Sequence, residues 1–237
     1  MMLRMDQPKS ELWLLPGFMC DADLWRDQLI GLADIADCHV ADFSAGNSIE
    51  ELAADVLSRA GPRFAVAGFS LGGYVAQEIV RQAASRVERL ALLDTSIRAD
   101  TPERGAMKKA FAASARFQGE FVGVSDKVLA TFVDHSRLSD VDLINRIKAM
   151  TKRLGADVYL RQNGMIREDG EAAVRSLRCP VLVLGGENDV LTQVPEQREL
   201  ADMIEGGHLV IIPGSGHMTP MEKPAEVTGA LREWLLY

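Results

Sequence analysis

Short, almost unbroken apolar runs alternate along this chain with segments whose apolar residues fall at helical spacing. That alternation restricts the fold more than any other feature of the sequence. ELWLLPG carries the run Leu12 to Leu15, closed by Pro-Gly, and CHVADFS, RFAVAGFS, VERLALLDTS, CPVLVLGG and HLVIIPG supply further runs. Such runs suit strands covered by helices on both faces, as in a parallel sheet, better than strands with one face in water. Among them DADLWRDQLIGLAD, SIEELAADVLSRAG, LGGYVAQEIVRQAAS, PEQRELADMI and EKPAEVTGALREWLL read as helices, the second with Ser48 as N-cap and Glu51 three residues later. The expected class is α/β, with a mostly parallel sheet of about six strands flanked by helices.

The alternation is interrupted between VERLALLDTS and CPVLVLGG. KKAFAASARF, SDKVLATFVDHS, DVDLINRIKAMTKRL and EAAVRSL read there as helices, in a stretch far longer than an ordinary connection. The expectation is an inserted helical cap over residues 99–177, above the strand ends where open parallel sheets hold ligands, with residues 1–98 and 178–237 forming the core.

Bulk properties narrow the function. A length of 237 residues suits one well-filled core with an accessory element, and a net charge of -8 offers no basic surface for nucleic acid. No window reaches the roughly 18 apolar residues of a membrane span. Cys20, Cys38 and Cys179 are widely spaced and odd in number, which fits a reducing compartment, so a cytoplasmic location is expected. No GxGxxG, GxxxxGK[ST] or HExxH pattern is present, and neither cofactor nor metal is expected. Monomer and homo-oligomer are both compatible with the pattern.

GFSLGG, residues 68 to 73, stands where a strand must turn abruptly into a helix. Glycines two residues either side of Ser70 remove the Cβ atoms that would collide in so tight a bend, which presents the Ser70 hydroxyl as a nucleophile above the sheet. A serine needs a base. Of the four histidines, His217 lies in the loop PGSGHMTP after the last strand, on the same sheet edge as Ser70. His208 and His39 begin their strands on the opposite edge, and His135 falls in the insertion. Asp189, in GGENDVLTQ after the preceding strand, is the expected orienting acid, with Asp94 and Glu187 as rivals. The backbone N–H groups of Leu71 and Phe18 are the expected oxyanion donors, Gly17 letting the chain of the first loop pass close. Met19 and Phe69 are candidate pocket-lining residues, Arg116, Arg153 and Arg161 could meet an anionic substrate, and Cys20 is a rival thiol nucleophile.

In LLPGF, GFSLGG, LALLDTS, VLVLGGENDVLTQ and VIIPGSGHMTPMEKP, in order and suitably spaced, the chain resembles the α/β-hydrolase superfamily along nearly its whole length. The resemblance implies the α/β-hydrolase fold, a Ser70, Asp189 and His217 triad, Phe18 and Leu71 as oxyanion amides, and a helical cap. Its overall look is similar to small bacterial carboxylesterases, enol-lactonases and carrier-protein ester hydrolases. Pro16-Gly17 replaces the His-Gly of many relatives, and few residues precede the first strand, so the opening hairpin is expected to be missing. The expected function is serine-dependent cleavage of a small carboxylic ester. Lactone, thioester, amide and carbon-carbon bond cleavage or perhydrolysis with the same triad, and non-catalytic ligand binding on the same fold, remain as alternatives.

Overall fold

A computed structural model describes residues 9–114 and 121–237. Arg116 and the end of the expected helix KKAFAASARF therefore lie outside the described residues. In chain order the elements are β1 (Ser10–Leu15), α1 (Arg26–Leu32), β2 (Ala36–Val40), α2 (Ile49–Arg59), β3 (Phe64–Phe69), α3 (Leu71–Ala83) and β4 (Val87–Leu93). There follow α4 (Pro102–Ser114), α5 (Asp126–Phe132), α6 (Val141–Gly164), α7 (Glu171–Arg175), β5 (Val181–Gly186), α8 (Val194–Asp202), β6 (His208–Ile212), α9 (Thr219–Glu222) and α10 (Pro224–Leu236).

The strands form one sheet in the order β2-β1-β3-β4-β5-β6, and every pairing is parallel. Apolar runs without alternation are explained by the two cores they serve. Trp13, Leu15, Val66 and Leu90 pack on one face with Ile49, Leu52, Val75 and Ile79 of α2 and α3. Leu12, Leu14, Ala65 and Ala67 pack on the other with Leu32 of α1 and Val227 and Leu231 of α10. The second core also takes Leu143, Ile147 and Met150, one face of α6. The α6 segment runs well beyond the helix expected from DVDLINRIKAMTKRL and breaks at Gly155, whose φ is 81°.

From β1 the chain moves outward to β2, then returns across β1 to add β3 on the other side. The carboxyl ends of β1 and β3 therefore flank a topological switch point, the place where open parallel sheets leave a crevice. Pro16-Gly17-Phe18 and Ser70 leave the sheet there. Because all strands run the same way, the loops holding Asp94, Asp189 and His217 open on that same edge. Among the described residues, no helix is long and apolar enough to cross a membrane.

Candidate active site

The turn at Ser70 is one of three places among the described residues where a non-glycine residue takes a positive φ. Ser70 has φ 50° and ψ -109°, outside the regions an L-residue adopts freely. Its N–H donates to Leu93 O at 2.9 Å, and its carbonyl accepts from Gly73 N–H at 3.0 Å and Thr95 Oγ1 at 2.8 Å. The two flanking glycines are needed for close approach. A Cβ on Gly68 would strike the Gly72 carbonyl, and one on Gly72 would strike the backbone carbonyl of Leu15 and stand 2.7 Å from that of Pro16. The turn after β3 is thus pressed onto the loop after β1, and a Cβ on Gly17 would stand only 3.4 Å from Ser70 Cβ.

His217 reaches this turn from the loop after β6. Its Nε2 lies 3.0 Å from Ser70 Oγ and its Nδ1 lies 2.8 Å from Asp189 Oδ2. With the carboxylate accepting from Nδ1–H, Nε2 is the ring nitrogen left to accept the Ser70 proton. Asp189 is held in turn: Oδ1 accepts the N–H groups of Leu191 at 2.8 Å and Thr192 at 3.1 Å, and Oδ2 accepts the Thr192 hydroxyl. Burial pushes the Asp189 carboxyl up, but His217, then the Thr192 hydroxyl and the Leu191 N–H, outweigh it and hold Asp189 below the usual carboxylate range.

The rival acids are placed elsewhere. Asp94 is fully buried with φ 46°, and its carboxylate accepts from Gly186 N–H at 2.9 Å and from the Thr219 hydroxyl rather than from His217. Burial, reinforced by the Asp189 charge, pushes its carboxyl well above the ordinary range. Glu187 turns back to accept Gly214 N–H at 3.0 Å. Asp94, Asp189 and His217 form the one group of metal-type donors among the described residues, within 4.8 Å of one another, but these atoms are engaged with each other, Gly186 and Thr219. His39 stacks on Trp13 with ring centroids 5.2 Å apart, His208 is exposed at the start of β6, and His135 lies in a short turn of the insertion. Cys20 is buried, and burial drives its thiol far above the ordinary range, the opposite of an activated thiolate.

Among the described residues, neither Phe18 N–H nor Leu71 N–H has a hydrogen-bond partner, so both are available to an oxygen bound beside Ser70. Met19 is different: its side chain is fully buried outside the cavity lining, its φ is 53°, and its N–H donates to Gln162 Oε1 at 2.8 Å. Gln162 Nε2 donates in turn to Phe43 O at 3.0 Å. This bridge from α6 to two loops of the sheet edge had no sequence signal beyond a glutamine on a helix.

Above Ser70 and His217 lies a cavity of about 150 Å³. Phe18, Phe69, Phe132 and Met218 give it apolar walls, and Arg104, Lys108 and Arg167 add charge. The insertion's expected contacts Arg153 and Arg161 are engaged elsewhere: Arg153 pairs with Asp21 at 2.8 Å and Arg161 donates to Ser44 O. Sequence periodicity located the helices but could not say which of their basic residues faced inward.

The chain belongs to the alpha/beta hydrolase family, whose model matches residues 14–230. A pimeloyl-[acyl-carrier protein] methyl ester esterase of Nitrosomonas europaea is 22% identical, covering 91% of this chain and 92% of that protein. The malate-bound structure of a thermophilic esterase from Thermogutta terrifontis is 27% identical, covers 96% of this chain and 89% of its own, and superposes with a TM-score of 0.84. The enol-lactonase from Burkholderia xenovorans LB400 shares the fold, with a TM-score of 0.84 at 21% identity over 98% of this chain and 93% of that one.

Proposed function

We propose that this chain is a serine hydrolase that cleaves a small carboxylic ester through an acyl-enzyme. The observation that carries the reading is the relay Ser70 Oγ, His217 Nε2, His217 Nδ1, Asp189 Oδ2, with its links of 3.0 and 2.8 Å, at the base of a cavity. Ser70 Oγ attacks the ester carbonyl as its proton passes to Nε2, and the Asp189 carboxylate stabilises the resulting imidazolium. The carbonyl oxygen gains negative charge against Phe18 N–H and Leu71 N–H. Collapse expels the alcohol, which takes the proton from Nε2. Water then gives a proton to Nε2, attacks the acyl carbonyl, and the acid leaves as Ser70 recovers its proton.

The substrate is small on this reading, because about 150 Å³ is well under the 300–1,000 Å³ of pockets for drug-sized ligands. Residues 99–177 act as a cap on a core of residues 1–98 and 178–237, since Phe132, Gln162, Met165 and Arg167 of the insertion line the cavity. Free Cys20, Cys38 and Cys179 support a cytoplasmic location. The esterase names of relatives support ester over other acyl bonds.

A burst assay with p-nitrophenyl esters of graded acyl length, on wild type and Ser70→Ala, tests the reading with mass spectrometry of the adduct. A burst, an acyl mass on the Ser70 peptide and a loss of about 10⁴-fold or more in the variant are expected. Reversible binding of esters with no acylation would instead mark a ligand-binding protein and overturn it.

A further inference from the structure

The chain carries a net charge of -8, yet the charged side chains lining the cavity, His217 aside, are all basic: Arg104, Lys108 and Arg167. Arg104 and Lys108 are four residues apart on α4 and so share a face, while Arg167 follows the end of α6. Behind them Asp100 touches all three residues, Arg167 through its backbone alone. Asp100 Oδ2 accepts the Lys108 ammonium and the Arg167 backbone N–H at 3.0 Å, and its Oδ1 lies 3.3 Å from Arg104 Nε. Lys108 also donates to Met165 O at 3.0 Å, and the Arg167 guanidinium lies over the Tyr74 ring, 4.9 Å from its centroid.

Among the described residues, Asp100 is the one carboxylate paired with the Arg104 and Lys108 side chains, and the Arg167 guanidinium is paired with none, so positive charge exceeds negative at the cavity wall. Lys108 is the member most withdrawn from water: its side chain is 14% exposed against 61% for Arg104, and burial draws its ammonium below the ordinary lysine range despite Asp100. A carboxylate shared among several cations, one of them held partly out of water, leaves room for a further anion, which such cations bind through charge-assisted hydrogen bonds. Arginine supplies the planar, forked donors suited to a carboxylate or phosphate. The small cavity, already shared with an ester group at Ser70, favours the carboxylate. Arg153 and Arg161, also in the insertion, have their own oxygen partners and are not part of this group.

We propose that Arg104, Lys108 and Arg167 form an anion subsite for a free carboxylate on the substrate, which makes the substrate a monoester of a short dicarboxylic acid. This rests on the serine hydrolase reading for its reaction but not for its binding. The three side chains are specificity-determining residues: they hold the distal carboxylate while the ester carbonyl lies at Ser70.

Two measurements test it together. The first compares kcat/KM for monomethyl and dimethyl glutarate by proton release, in wild type, in Arg104→Gln, whose side chain is 61% exposed in the native protein, and in Arg104→Gln with Arg167→Gln. The second titrates glutarate, dimethyl glutarate and inorganic phosphate into Ser70→Ala by calorimetry, with and without the two arginine substitutions. Wild type is expected to prefer the monoester by about tenfold or more, the size of one charged hydrogen bond, and the preference should collapse through KM in the double variant. Glutarate should bind Ser70→Ala and lose about tenfold when both arginines are replaced, while the diester gives no comparable binding. Equal turnover of the two esters, absence of glutarate binding, or tighter binding of phosphate than of glutarate would overturn the subsite. Glutarate binding without turnover of either ester would instead sink the hydrolase reading and leave the subsite standing.

Discussion

Gln162 of α6 and Met19 of the loop after β1, 143 residues apart in sequence, are joined by a hydrogen bond of 2.8 Å from the Met19 N–H to the Gln162 side chain. Met19 adopts a positive φ of 53° immediately after Phe18, whose own N–H is left free for the oxyanion. Gln162→Ala removes the hydrogen bond that ties Met19 N–H to the insertion, and leaves a loop with a positive φ to relax. Misplacing a donor by about an ångström can cost about 10²-fold, so kcat should fall by about ten- to a hundredfold with a smaller change in KM. Steady-state kinetics on a p-nitrophenyl ester checks this, and an unchanged kcat would remove Gln162 from the positioning of the loop.

Asp189 and Asp94 are both buried acids beside His217, but only Asp189 holds its Nδ1, at 2.8 Å. Asp189→Asn should therefore lose about 10⁴-fold in kcat, through loss of the productive tautomer and of the charge that stabilises the imidazolium. Asp94→Asn should cost less than about tenfold, because an amide oxygen can still accept Gly186 N–H and the Thr219 hydroxyl can accept from the amide. Parallel kinetics on the two variants makes the comparison.

The same Asp94 gives a pH signature in stability. Its folded pKa is raised, chiefly by burial and then by Asp189, while the unfolded side chain titrates near about 4. The native state then binds the extra proton, so this stabilisation is complete below the unfolded pKa and is lost as pH rises towards the folded one. Thermal melts across this range should show Asp94→Asn gaining on wild type from about pH 4 upward. A constant difference between the two proteins would show that Asp94 does not titrate abnormally.

Strand direction made the candidate site legible. In a parallel sheet every strand's carboxyl end lies on one edge, so Ser70, Asp189 and His217 could be separated from His39 and His208 without coordinates. The six strands were legible for a related reason: with both faces buried, each wrote an unbroken apolar run. The insertion was legible as helices and no further. Helical spacing gives a face but not its neighbour, which is why Arg153 and Arg161 drew attention while Arg104, Lys108 and Arg167 line the cavity. Gln162 was invisible for the same reason, since its partners Met19 and Phe43 are brought to it by tertiary packing alone. The short α9 behind His217 was missed because MTPMEKP has too few residues for any period to show.

Gly68 should be intolerant of even a methyl group. Its added Cβ would meet the carbonyl of Gly72 and, at 2.8 Å, the Cα of Gly73, and both belong to backbone that has no rotamer by which to yield. Gly68→Ala should cost at least about 2 kcal/mol, within the usual range for overpacking, and displace the Ser70 turn. A chain of this size would lose about 4–8 °C in Tm. Calorimetric melting and the ester burst should fail together, whereas a stable variant with full activity would show that the turn can open.

Glu222 braces the loop that carries His217. It is 1% exposed, its Oε2 accepts Asp134 N–H at 2.8 Å, and its Oε1 accepts Met218 N–H at 3.2 Å. Both carboxylate oxygens face donors, so Glu222→Gln must turn an NH₂ group against one of two backbone N–H groups and leave that N–H unsatisfied. An unpaired buried donor costs about 1–3 kcal/mol, and the residue beside it here is the candidate base. The expected result is a Tm lowered by several degrees together with a reduced kcat, while Glu222→Asp, which retains two acceptors on a shorter arm, recovers part of both. If the variant melts lower but turns over at the wild-type rate, Glu222 supports the fold without holding His217 in place.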